Sequence, residues 1–108
     1  MWMEVGRTDF LREIGYRYRD LETRGIRMPV IDVRVRYKNR VMYDEVLKIK
    51  TWVSELGKVK ICFSYEMLRE DGTLVAEGYT MLGCLSDKYR PMAMPADVWV
   101  ELEKAAKP

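Results

Sequence analysis

The sequence predicts an α+β domain: an antiparallel sheet wrapped around one N-terminal helix, with a short helix closing the C-terminal end. Three observations carry that reading. The opening residues repeat their apolar side chains at helical spacing. From Val30 to Leu85 apolar residues recur mostly at every second position. The two longest alternating runs are joined by Asp71-Gly72, a dipeptide suited to a hairpin. One helix and a large sheet bury both apolar faces together if the sheet curves around the helix.

The opening stretch runs from Met1 to Gly15. Wound at 100° per residue, it places Met3, Gly6, Phe10 and Ile14 on one stripe, with Leu11 at the border. Gly15 reads as the stop. Gly6 costs about 1 kcal/mol against Ala in a helix, so something packs close there. The polar, Arg-rich stretch from Tyr16 to Met28 reads as a surface connection with a helical turn from Asp20 to Thr23. Pro29 opens a strand from Val30 to Lys38, with Ile31, Val33, Val35 and Tyr37 on one face and Asp32, Arg34, Arg36 and Lys38 on the other. A second strand from Val46 to Val53 turns Leu47, Ile49, Thr51 and Val53 one way and Val46, Lys48, Lys50 and Trp52 the other, and ends in a turn from Ser54 to Gly57.

The strands from Val59 to Arg69 and from Thr73 to Leu85 form the best-defined hairpin. A two-residue type I′ turn at Asp71-Gly72 pairs Arg69 with Leu74, Met67 with Ala76, Tyr65 with Gly78 and Phe63 with Thr80. Large residues then face small ones, as a sheet bending around a helix requires, and the helix would rest over Ala76 and Gly78. Pro95 fits the first position of a last helix reaching Ala106, with Val98, Leu102 and Ala105 inward and Asp97 in its first turn. Trp99 and Val100 fall off that stripe.

Composition narrows the chemistry. The 108 residues correspond to one domain, and no apolar run approaches the ~20 residues of a membrane span. The first residues show no signal-peptide pattern, so a cytoplasmic location is expected by default. Cys62 and Cys84 have no metal-type spacing and read as reduced face or core residues. With no histidine, Ser-His-Asp and Cys-His nucleophiles and His metal sites are excluded. A net charge of +2 argues against a nucleic-acid partner, despite the arginines between Tyr16 and Arg27.

Six segments in register resemble one family. They are Trp2-Met3-Glu4-Val5-Gly6-Arg7-Thr8-Asp9-Phe10-Leu11 with its continuation to Gly15, Val35-Arg36-Tyr37, Tyr43-Asp44-Glu45-Val46, Glu55-Leu56-Gly57-Lys58, the run from Glu70 to Gly78, and Arg90-Pro91 with the final helix. Together they resemble the hotdog-fold acyl-CoA thioesterases, in the branch of 4-hydroxybenzoyl-CoA thioesterase and the Tol–Pal-associated thioesterase. The resemblance spans essentially the whole chain. It implies hydrolysis of an acyl-CoA thioester, no cofactor beyond the coenzyme A of the substrate, and a homodimer or homotetramer with active sites between subunits. In that family a first strand and a loop bearing the catalytic Asp precede the helix, and a Tyr lies near the helix start. This sequence opens inside the helix, so the expectation is an N-terminally shortened domain. A non-catalytic acyl-CoA-binding or scaffold domain is the alternative that follows.

The family chemistry needs a carboxylate to attack or to activate water, and backbone N–H groups at a helix start to hold the developing oxyanion. Within this chain the candidates for the first task are Glu4 and Thr8, one helical turn apart and able to hold a water between them. The simpler reading pairs Glu4 with Arg7 or Arg12. Arg7 lies within the apolar border and reads as a snorkelling side chain. For the phosphates of coenzyme A the resemblance points to Lys58 beside the Gly57 turn. Lys60 shares its face, and Lys48, Lys50, Arg34 and Arg36 extend a basic stripe that also reads as an ordinary solvated sheet face.

Overall fold

The structure, a computed structural model, describes residues 1–106. Its elements are α1 (Trp2–Glu13), α2 (Tyr18–Thr23), β1 (Val30–Tyr37), β2 (Leu47–Leu56), β3 (Lys60–Arg69), β4 (Leu74–Gly83) and α3 (Ala96–Ala106). The strands form one antiparallel sheet in the order β1-β4-β3-β2, and α1 lies against its inner face. Met3, Gly6 and Leu11 are buried, with Phe10 and Ile14 half-buried, as the helical stripe requires. Phe10 meets Phe63 edge-on, with 5.6 Å between ring centroids. The crowding expected at Gly6 is real, and its source is β2. A Cβ there would lie 2.5 Å from Thr51 Oγ1 and 2.9 Å from Ile49 Cγ2. The first turn of α1 sits over the expected seat: the Met3 sulfur packs at Gly78, and Trp2 packs against the cluster of Met67, Val75 and Ala76.

Both early helices end in the same way. In α1 the N–H of Tyr16 donates to Leu11 O at 2.8 Å and that of Gly15 to Arg12 O at 3.0 Å. In α2 the N–H of Ile26 donates to Leu21 O and that of Gly25 to Glu22 O, each at 2.9 Å. These are Schellman closures, and Gly25 takes φ +79°, which a side chain would oppose. The closure brings Leu21 and Ile26 into the core at 1% and 2% exposure, so the connection from Tyr16 to Met28 is a packed segment rather than a loose surface loop.

The β3–β4 register follows the sequence arithmetic at Phe63↔Thr80, Tyr65↔Gly78 and Met67↔Ala76. The turn does not. Gly72 N–H donates to Arg69 O and Arg69 N–H to Thr73 O, each at 2.9 Å. Gly72 has φ +90°, while Asp71 is not among the residues of positive φ. A type I turn followed by a left-handed glycine therefore replaces the type I′ turn, the loop gains a residue, and Leu68 rather than Arg69 faces Leu74. The expected turn at Ser54 is also corrected. A bulge between Val53 and Glu55 absorbs Ser54, whose Oγ accepts from Ser64 Oγ at 2.7 Å, and β2 runs on to Leu56.

In α3, Val98 and Leu102 are buried and Ala105 is half-buried. Pro95 sits just before the helix, its carbonyl accepting from Trp99 N–H at 2.9 Å. Trp99 is half-buried with its indole on Glu103, and Val100 is exposed. Asp97 ties α3 to the segment around α2. It accepts two N–H bonds from Arg24, at 2.9 and 2.8 Å, and the Tyr16 hydroxyl at 3.1 Å. The Arg24 bonds hold its carboxyl down at about 2. A carboxyl depressed on folding stabilises the folded state above its unfolded pKa, and that contribution is lost as pH falls through its folded pKa. The urea midpoint of the native protein should therefore exceed that of Asp97→Asn at neutral pH. The difference should narrow below about pH 4 and vanish only below about pH 2; a constant gap across that range, followed by circular dichroism, would exclude the clamp.

Candidate active site

The inner end of the site is the first turn of α1. Met1 caps it through its carbonyl, which accepts from Glu4 and Val5 at 3.1 and 3.3 Å, with no side-chain cap. The N–H groups of Trp2 and Met3 have no intrahelical acceptor, as at any helix start. Trp2 stands edge-on to Tyr65 at 6.1 Å and donates its indole N–H to Tyr37 Oη at 3.3 Å. The turn is thus fixed between the middle of the sheet and the end of β1. Beside it, two helix-facing residues of β1 are left uncovered, Val33 at 49% and Tyr37 at 62% exposure, whereas a bulge between Val30 and Asp32 takes Ile31 off the face it was expected to share with them and sets it beside Gly83. An uncovered apolar edge strand beside free helical N–H donors suits an apolar acyl group carrying a polar, reactive carbonyl.

One turn further on, Arg7 is buried at 7% exposure, which corrects the snorkelling expectation. It does not pair with Glu4. Its Nε donates to Tyr18 Oη at 2.5 Å, and Nη1 to Thr80 Oγ1 at 3.2 Å and Tyr65 Oη at 3.4 Å. Tyr65 and Thr80 share a hydrogen bond of 2.7 Å. Burial pushes the Tyr18 hydroxyl up to about 12, so it stays protonated at neutral pH. This cluster joins α1, α2, β3 and β4. Its one sequence signal was a charge on the apolar border of α1; the three hydroxyl partners are too distant in sequence to be read locally.

The sequence candidates are dispersed. Glu4 is exposed on the first turn and makes no ion pair among the described residues; Arg12 instead reaches Asp9 at 3.7 Å. Thr8 is half-buried and lines a cleft between α1 and α2, and Glu4 does not line that cleft. Lys58 and Lys60 are exposed at the β2–β3 turn, where Gly57 N–H donates to Lys60 O at 2.8 Å. Lys60 has the strand parity of Ser64 and Glu66 and so belongs to the outer face, away from α1. On that face the basic stripe is interrupted by acid. Arg36, Glu77, Glu66 and Lys50 lie directly opposite one another across the four strands, and Lys38 reaches Glu77 at 3.6 Å. The two glutamates face each other on the central strands and are flanked by Arg36 and Lys50, so the row carries no net charge, as on a solvated sheet face. Among the described residues no three His, Cys, Asp or Glu side chains converge to hold a metal. Cys62 and Cys84 are free and buried.

An antiparallel sheet curved around a central N-terminal helix, with the helix start opening beside an apolar edge strand, defines a hotdog-fold protein. The chain belongs to the Thioesterase-like superfamily, whose family model matches residues 1–102. It is 30% identical over 112 residues to the Bacillus subtilis protein named "Putative acyl-CoA thioesterase YneP", covering 99% of this chain and 80% of that one. Among solved structures, DHNA-CoA thioesterase from Staphylococcus aureus is 34% identical with a TM-score of 0.86, over 95% of this chain and 71% of that chain. The hypothetical protein TT1821 from Thermus thermophilus is 31% identical with a TM-score of 0.89, over 96% and 79%. No helix among the described residues is long and apolar enough to cross a membrane.

Proposed function

We propose that this protein hydrolyses acyl-CoA thioesters to a free acid and coenzyme A, in the cytoplasm, as a homodimer or homotetramer whose active sites lie between subunits. The observation that carries this reading is the family match across residues 1–102 on a fold whose central helix opens beside an uncovered apolar strand. The acyl group would lie along Val33, Val35 and Tyr37, and a second copy would cover that strand. The N–H groups of the first turn of α1 would receive the charge that develops on the thioester oxygen when a nucleophile adds. Collapse of that adduct breaks the C–S bond and expels the coenzyme A thiolate, leaving the acyl group as the free acid. Glu4, the carboxylate on the same turn, is the candidate for activating the attacking water, while Thr8, one turn behind it, lines the cleft between α1 and α2. Lys58 and Lys60 are the sequence's candidates for the phosphates. No cofactor is needed beyond the coenzyme A of the substrate.

Free-thiol release from short, long and aromatic acyl-CoA substrates tests the reading, and turnover of at least one class is expected. If Glu4 activates the water, Glu4→Gln lowers kcat by about 100-fold or more with KM little changed; an unchanged kcat assigns that task to another group. Light scattering at micromolar concentration should give a dimer or tetramer, and a monomer would remove the intersubunit site. Binding of acyl-CoA without any turnover would overturn the hydrolase in favour of a binding domain.

A further inference from the structure

The Arg-rich stretch after α1 has no role in the site described above, yet the fold gathers its charges. Arg12 from α1, Arg17 from the connection and Arg19 from α2 meet Thr8, Tyr16 and Tyr18 around a cleft of about 480 Å³. No Asp or Glu lines it. Among the described residues Arg17 and Arg19 make no ion pair, and the Arg12–Asp9 contact is long and exposed. The carboxylate that Tyr16 touches, Asp97, is already held by Arg24. Under Tyr18 lies Arg7, a buried cation whose partners are hydroxyls alone. Because Tyr18 Oη accepts from Arg7, its own proton is free to donate elsewhere.

This cleft differs in kind from the outer sheet face. There, basic residues are matched by Glu66 and Glu77 across the strands. Here no Asp or Glu lines the cleft beside its three arginines, and the Tyr18 hydroxyl keeps a proton to donate, while that of Tyr16 is given to Asp97. Such a site is completed by an anion. Forked guanidinium groups match the oxygens of a phosphate, and the volume lies in the range of small-molecule pockets, well beyond a lone phosphate. We propose that the cleft between α1 and α2 is a phosphate-binding subsite that takes the phosphorylated nucleotide end of coenzyme A. This rests on the thioesterase reading, and it sets the nucleotide on the helix side of the sheet, opposite the face that carries Lys60.

Calorimetric titration with coenzyme A, pantetheine and inorganic pyrophosphate tests it on three proteins: the native chain, Arg17→Gln/Arg19→Gln and the charge-matched Lys58→Gln/Lys60→Gln. All four positions are exposed, so both variants should fold. The arginine pair should weaken coenzyme A about tenfold or more, and by more than the lysine pair does. Pantetheine, which lacks the phosphates, should bind all three proteins alike. Equal losses in the two variants, or none in the arginine pair, would overturn the subsite. Pyrophosphate binding that depends on Arg17 and Arg19, without binding of coenzyme A, would overturn the carrier assignment and leave an anion site for another phosphorylated ligand. If the native chain binds neither coenzyme A nor pantetheine, the thioesterase reading itself falls.

Discussion

Replacing Gly78 with alanine should cost about 3 kcal/mol of folding stability, near the upper end for adding one methyl group to a packed site. The added Cβ would lie 2.3 Å from the carbonyl oxygen of Arg34 and 3.3 Å from the Cα of Val35, both backbone atoms of β1. It would also lie 3.0 Å from the Met3 sulfur. The sulfur is the end of a flexible side chain and can move. The backbone of β1 cannot move without loosening the ladder around Val35↔Gly78, and β4 is its only strand neighbour among the described residues. Gly83→Ala is the control, because its Cβ would meet Ile31 Cγ2 at an ordinary 3.6 Å. Urea unfolding should separate the two variants clearly. If β1 also carries the subunit contact, Gly78→Ala should weaken association as well, and light scattering reads that separately. Equal stabilities for the two variants would show that β1 is not pressed against Gly78.

Gly78 also shows what the sequence could reveal. Its place opposite Tyr65 came from counting outward from Asp71-Gly72, and that register holds over three pairs. Counting works because period-two burial penalises a one-residue slip on every side chain at once. Local pattern does not decide the turn itself, because Asp-Gly serves both the two-residue and the three-residue loop, and the choice rests on the φ of a single residue. Ser54 misled in a similar way. It is a turn-forming type by composition, and only its bond to Ser64 on the next strand reveals a bulge. Gly25 carries a signal that the expectation of a surface connection leaves unused. A glycine after Asp20–Thr23, followed by Ile26, is the sequence mark of a Schellman closure, and it predicts the burial of Leu21 that a polar composition hides. The candidate site divides along the same line. The helix start and the apolar face of β1 follow from local pattern. The hydroxyl partners of Arg7 and the cleft around Arg17 arise from residues far apart in sequence, and a family resemblance does not name them.

Arg7→Ala should destabilise the protein by about 3 kcal/mol, and the reason differs from an ordinary core truncation. The side chain fills the space between α1 and the β3–β4 hairpin, and its guanidinium bridges Tyr18, Tyr65 and Thr80. Alanine leaves a cavity and removes the donor that those hydroxyls accept from. Methionine retains most of the volume and removes a buried charge that has no carboxylate to balance it. Arg7→Met should therefore cost about 1 kcal/mol or less, since exchanging buried ionic groups for well-packed apolar ones is often close to neutral. The gap between the two variants measures packing, and the cost of methionine measures the hydroxyl network. Tyr18→Phe isolates the link to α2. In a double-mutant cycle with Arg7→Met it should show a coupling of about 1 kcal/mol, because the 2.5 Å bond is lost in either single variant. Hydrogen exchange should then show faster opening of α2 in both single variants while the β3–β4 ladder stays protected, since Arg7 holds α2 through Tyr18 but the strands hold each other. Equal and large losses for Ala and Met would mean that the charge itself stabilises the fold, and a carboxylate or bound anion would have to be sought beside Arg7.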